Sequence, residues 1–205
     1  MKRRGAQAVA STRRSCYHLG MRQSLIKKFI FPPLLPVIGA LLLTACNPTY
    51  NWRDYSSPDA PFRVMFPDKP AVHKRNIDVG GLQVDMTMTA VDIDGTTFAV
   101  GSAEAPDAAL AAAAVGAMKT ALVRNIGATV TKEKSSAAAT TSGATSTQST
   151  SIDIEAKGVQ KGSPMKLVGH FESRDKRFYQ VIVMGKETSL SPQQTDQFIS
   201  SFKLL

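Results

Sequence analysis

Residues 47–205 contain no cysteine; the two in the chain are Cys16 and Cys46. That absence excludes a disulfide within this stretch, a cysteine-based zinc site and a cysteine nucleophile. Histidine is almost as scarce, with only His73 and His170 beyond residue 45. The first 45 positions have no acidic residue at all, yet they hold eight of the 25 lysines and arginines. The other 17 basic side chains face all 16 acidic ones, so of the formal charge of +9 all but about +1 belongs to the leading segment. A basic nucleic-acid-binding surface is therefore not expected of the remainder. A hydrophobic run of membrane-spanning length is missing too. Phe29 to Ala45 is uncharged and apolar, but it falls short of the ~20 residues a span requires, and Pro32, Pro33 and Pro36 interrupt it.

What that segment does have is an order. Arg22, Lys27 and Lys28 precede the apolar run, and Leu43-Thr44-Ala45-Cys46 closes it. A basic stretch, an apolar stretch and small residues before a cleavage point make up a secretory signal peptide. The cysteine after Ala45 makes these four residues resemble a lipobox. The resemblance implies a bacterial lipoprotein signal, cut before a Cys46 that carries diacylglycerol, with Leu43, Thr44 and Ala45 as the peptidase's recognition residues. Residues 1–20 carry Lys2, Arg3, Arg4, Arg13 and Arg14 without an apolar pattern. They read as a long basic segment or as a start assigned upstream of the true one, with Met21 the expected start. Asn47 follows the cysteine where an aspartate would retain an enteric lipoprotein in the inner membrane, so outer-membrane placement facing the periplasm is expected.

Residues 46–60 read as the lipidated cysteine and a tether, with Pro48, Ser56, Ser57 and Pro58 and little periodicity. From Asn47 to Ala60 such a tether reaches about 45–50 Å when extended and roughly 20 Å as a coil. Tyr50, Trp52 and Tyr55 within it either dock on the folded body or rest at the membrane interface; docking is the reading adopted. Residues 61–205 are expected as one domain, long enough for an ordinary core.

Alternation predicts strands at Phe62–Phe66, Val72–Val79, Leu82–Ala90 and Phe98–Ser102, with tight turns at Gly80-Gly81 and Asp94-Gly95. A helix is predicted from about Asp107 to Ile126, its apolar stripe running through Ala111, Val115, Met118, Leu122 and Ile126. Gly127 suits its C-terminal cap. Further strands are predicted at Ala128–Lys134, Ile152–Lys157, Met165–Arg174 and Phe178–Gly185, with turns at Gly158–Gly162 and Asp175-Lys176. The last of these is apolar on both faces and should lie centrally. Ser135 to Ser151, almost all Ser, Thr, Ala, Gly and Gln, offers too little apolar surface to offset ordering entropy and reads as a flexible loop. Ser191-Pro192-Gln193-Gln194 fits a capping box for a terminal helix, with the glutamine reaching back. The fold class is α+β, an antiparallel sheet packed against helices.

Phe62-x-Val64-x-Phe66-Pro67-x-Lys69-Pro70 and Phe198-x-x-Ser201-Phe202 together resemble bacterial envelope domains of the PsbP-like class, which includes DcrB-like lipoproteins. The resemblance spans roughly residues 52–205 and implies an α/β/α sandwich. Several members of the class are accessory or assembly factors. Its motifs are structural, and no functional residue carries over.

Candidate chemistry is thin. His170 and Glu172 share one strand face and could begin a metal site, but a half-exposed strand explains them equally. His73 lies beside Lys74 and Arg75, which disfavours a cation. Asp92-Ile93-Asp94-Gly95 opens like a calcium loop without its later ligands. No serine sits in a G-x-S-x-G elbow, and no phosphate-cradling glycine loop is present. Lys157, Lys161 and Lys166 near one hairpin, and Arg174, Lys176 and Arg177 at the next, read first as solvated rims. No metal, cofactor or catalytic residue is expected. The leading reading is a non-enzymatic domain held to the membrane by the lipid on Cys46 and meeting an envelope protein partner. The alternative is a small-molecule or lipid-binding module with a cleft between sheet and helix, lined by Met86, Met88, Met118 and Met184. A hydrolase would need a histidine within hydrogen-bond reach of a serine or carboxylate in a cleft.

Overall fold

The computed structural model describes residues 49–142 and 145–205. The expected signal peptide and Cys46 lie outside the described residues. Strands β1 (Arg53–Ser56), β2 (Phe62–Phe66), β3 (Ala71–Val79), β4 (Leu82–Ile93) and β5 (Thr96–Glu104) come first, then helix α1 (Ala108–Asn125). Strands β6 (Ala128–Ser142), β7 (Thr145–Gln160), β8 (Ser163–Arg174) and β9 (Arg177–Lys186), helix α2 (Pro192–Ser201) and strand β10 (Lys203–Leu204) complete the chain. The main sheet is antiparallel and seven-stranded in the order β3-β4-β5-β9-β8-β7-β6. A small antiparallel sheet, β1-β2-β10, accompanies it. The α+β class expected from the sequence is present. Among the described residues no helix is long and apolar enough to cross a membrane.

Alternation assigns the two faces of the main sheet. Ala99 and Ala103 of β5, with Phe178 and Ile182 of β9, join the buried cluster under α1. Phe98 and Val100, with Tyr179, Val181 and Val183, join a second buried cluster with β2 and α2. Strand β9 therefore lies between β5 and β8 with both faces covered, as its two-sided apolar pattern requires. On α1, Ala111, Ala114, Val115 and Met118 are buried; two alanines bring the helix backbone close to the sheet. Asp107 caps it by accepting from the Leu110 N–H at 2.8 Å, and Gly127 follows its end at a φ of 59°. On α2, Ser201 Oγ accepts from the Met65 N–H at 2.9 Å and donates to the Phe198 carbonyl at 2.7 Å. The serine of the Phe-x-x-Ser-Phe ending thus ties the helix to β2.

Four expectations need correction. Residues 135–142 and 145–151 are not a loop: β6 and β7 continue through them as a paired ribbon, Ser136 opposite Ser151 and Ala139 opposite Gln148. The ladder there is made by backbone groups, and Ser and Thr tolerate the extended conformation, so little apolar surface is required. The tether does not extend to Ala60 either. Residues 53–56 form β1 on β2, and the Asn51 N–H donates to the Pro67 carbonyl at 2.7 Å. The large apolar area of Tyr50, Trp52 and Tyr55 drives that docking. Third, the turn expected over Gly158–Gly162 is confined to Lys161-Gly162, both at positive φ. Gly158 belongs to β7, where an added Cβ would come within 2.8 Å of the Ala128 backbone. Finally, Ser191 does cap α2, accepting from the Gln194 N–H at 3.5 Å. The Gln194 side chain does not reach back, because its Oε1 accepts from the Trp52 indole N–H at 3.2 Å.

Candidate functional site

Between α1 and the sheet, where a ligand cleft was one expectation, a depression of about 260 Å³ is lined by Ile77, Met86, Met118, Leu122 and Gln180. Met86 and Met118 are buried core residues, with Met88 and Met184 packed against them. The chemistry-bearing side chains gather instead on the α2 side of β7, β8 and β9. Period-2 alternation sends Lys166, Val168, His170, Glu172 and Arg174 of β8 to that face. The register sets Glu155 opposite Val168, Asp153 opposite His170, and Tyr179 opposite Glu172.

Three groups result. Glu155 accepts from Lys132 at 2.7 Å and lies 3.1 Å from Lys166. Those two ammonium groups hold its carboxyl below the usual value. Next along the strand, His170 Nδ1 lies 2.6 Å from Asp153 Oδ1 and its Nε2 lies 3.3 Å from Glu172 Oε2. The ring is four-fifths buried, beside Phe202 at a centroid distance of 6.1 Å. Burial alone would lower the His170 pKa, but the hydrogen bonds to Glu172 and Asp153 outweigh it and raise the pKa above its ordinary 6.5. A ring flanked by two carboxylates donates from both nitrogens as an imidazolium. It then has no free nitrogen to draw a proton from a nucleophile or to bind a metal. Among the described residues no three His, Cys, Asp or Glu side chains are placed to hold a metal ion.

A histidine whose folded pKa is raised stabilises the protein fully below its unfolded pKa, and that stabilisation is lost as pH rises through the folded value. Thermal stability of the wild type is therefore expected to fall as pH climbs from below 6.5 through the raised pKa of His170. In His170→Gln that slope should flatten. An unchanged slope in the variant would assign the titration elsewhere.

The third group surrounds the β8–β9 turn. A depression of about 450 Å³ opens there between Arg174, Lys176, Arg177, Tyr179, Pro61 and Leu204. Tyr179 is 1% exposed, its ring packed on Phe62 and Phe202 at 6.0 and 5.8 Å. Tyr179 lines the depression, and its hydroxyl makes no hydrogen bond to a described residue. Arg177 pairs with Glu104 at 2.9 Å. Arg174 and Lys176 make no ion pair among the described residues.

The other candidate residues stay apart from this face. His73 is exposed on edge strand β3, opposite Met88. Asp92 accepts from the Thr97 hydroxyl at 3.0 Å, and Asp94-Gly95 is a positive-φ hairpin tip. Lys157 pairs with Glu187 and Lys166 with Glu155, while Lys161 sits exposed in its turn. Two participants had no signal in the sequence: Asp153, which only the β7–β8 register brings to His170, and the Tyr179 hydroxyl, hidden in an apolar alternation. Comparison with protein-family models and with curated proteins finds no match to this chain.

Proposed function

We propose that this chain is a lipid-anchored envelope protein whose domain, a PsbP-like α/β/α sandwich, is a non-catalytic accessory module presented to a protein partner in the periplasm. The observation that carries the reading is the spacing between two features. Leu43-Thr44-Ala45-Cys46 ends an apolar run, and the folded body starts at Tyr50, which packs edge-on against Phe98 at 6.3 Å. Four residue steps then separate the lipidated cysteine from the domain, at most ~14 Å. Such a module rides close to the bilayer and meets partners in or near the same membrane. Two acyl chains on one cysteine anchor it stably, where a single chain would give only marginal binding. A helix on each side of the antiparallel sheet supports the PsbP-like assignment, and Asn47 supports the outer membrane. At about 260 Å³ the depression between α1 and the sheet is smaller than an ordinary small-molecule site, which counts against a ligand cleft at that place.

The anchored end is the one near Phe98 and the β4–β5 turn. Strand β5 runs from there to Glu104, about 27 Å away at strand rise, where Arg177 and the β8–β9 depression lie. The free end therefore carries that depression and the ribbon of β6 and β7.

Expression of the full chain beside Cys46→Ser tests the anchor. Wild type should lose residues 1–45, gain the mass of a diacylglyceryl and N-linked acyl group, and fractionate with the outer membrane; the variant should stay uncut. Equal masses without lipid in both would sink the lipoprotein reading.

A further inference from the structure

Arg174 and Arg177 face each other directly across β8 and β9 on the α2 side of the sheet. Like charges opposed in this way are destabilising unless something neutralises them. Glu104 neutralises Arg177. Nothing among the described residues does the same for Arg174, and Lys176 in the adjoining turn adds a second unmatched charge. The fold tolerates this at the rim of a depression that the buried Tyr179 lines.

We propose that the depression at the β8–β9 turn is a binding site for a small amphiphilic oxyanion, a phosphate or carboxylate joined to a compact apolar body. The charged head sits between the Arg174 guanidinium and the Lys176 ammonium and accepts a hydrogen bond from the Tyr179 hydroxyl. The guanidinium's forked donors match a two-oxygen head, and the lysine acts as a point charge. The apolar body lies against Pro61 and Leu204, which form the opposite wall. A volume of about 450 Å³ lies within the range of small-molecule sites. The Glu104 carboxylate is occupied by Arg177 and leaves the head's donors free.

The site serves the accessory reading without depending on it, since the pocket belongs to the folded body whichever way that body is anchored. The test is ligand-observed saturation-transfer NMR on the full chain in lipid nanodiscs, with empty nanodiscs as the blank. Phenyl phosphate and phenylacetate are the probes; benzyl alcohol lacks the charge, and inorganic phosphate, which lacks the apolar body and any C–H proton, is read by its displacement of phenyl phosphate. Both amphiphilic anions should bind at millimolar or lower concentration, and the two half-ligands about ten-fold more weakly or not at all. Arg174→Gln with Lys176→Gln should weaken binding about ten-fold or more, the scale of losing charge-assisted hydrogen bonds. Tyr179→Phe should weaken it a few-fold, and Lys161→Gln, in a different turn, should change nothing. Thermal unfolding of each variant checks that its fold is intact. The proposal fails if neither anion binds, if benzyl alcohol binds as well as phenyl phosphate, or if the double glutamine variant keeps wild-type affinity. Binding of only one anion would still support it and would name the head group.

Discussion

Phe198→Ala is expected to lower the unfolding free energy by about 3–5 kcal/mol, the range for truncating a buried aromatic residue. Phe198 is fully buried. Its ring lies 5.2 Å from Phe66 and 5.4 Å from Phe98 between centroids, so one side chain joins α2, the small sheet and the main sheet. The surrounding rings are fixed by strands and cannot collapse fully into the space left behind, which adds a cavity cost to the lost transfer energy. A domain of this size should lose about 6–20 °C in Tm. Urea titration followed by circular dichroism measures the change, with Gln193→Ala, exposed on the same helix, as a control expected within ~0.5 kcal/mol of wild type. A loss no larger than the control's would show that α2 is not a structural member of the second core.

Trp52→Ala should cost about 2–3 kcal/mol, less than a fully buried indole because the residue is partly exposed. The indole stacks on Tyr50 at 6.2 Å, meets Phe98 edge-on at 6.2 Å and donates to Gln194. Those contacts tie the N-terminal strap to β5 and α2, so the loss should appear first as sub-global opening of the strap. Hydrogen exchange at the Asn51 amide and across β1 should accelerate strongly, while β5 and β9 keep their protection. Gln194→Ala, which removes only the hydrogen bond, should cost ~1 kcal/mol. Retained protection across residues 51–56 in Trp52→Ala would show that β1 pairing, not the indole, holds the strap. Under the lipoprotein reading, releasing the strap also lengthens the chain between Cys46 and the domain.

Much of the architecture is legible in the sequence. Leu82, Val84 and Met86 alternate with Gln83 and Asp85 because one face of β4 meets α1 and the other meets water. Phe178 to Met184 lacks that alternation because both faces of β9 are covered. The strap and the β6–β7 ribbon are not legible in this way. Arg53-Asp54-Tyr55-Ser56 has a single inward side chain, too few for a period to show. The ribbon from Ser135 is held by main-chain pairing, to which side-chain hydropathy is blind. For the site, the His170–Glu172 pair and the Arg174, Lys176, Arg177 group could be read from spacing, since residues two apart on a strand share a face. The partners that give them their chemistry come from register with strands elsewhere in the chain: Asp153 with His170, and Arg174 with Arg177 above Tyr179.

Strand β9 is late in the chain yet central in the sheet, and that bears on how the molecule is made. Thr96 of β5 pairs with Gly185 of β9, and Leu204 of β10 pairs with Phe62 of β2. The second core draws on Phe62, Phe98, Val181 and Phe198, residues scattered from one end of the domain to the other. Closing such distant pairings is slow, because chain entropy is spent before the contacts reward it. A chain still being synthesised can form the β3–β4–β5 meander and α1, but β5 then presents an open edge until residues 177–186 arrive. Folding is therefore completed only after these last segments have been made, and the partly made chain needs protection from aggregation in that interval.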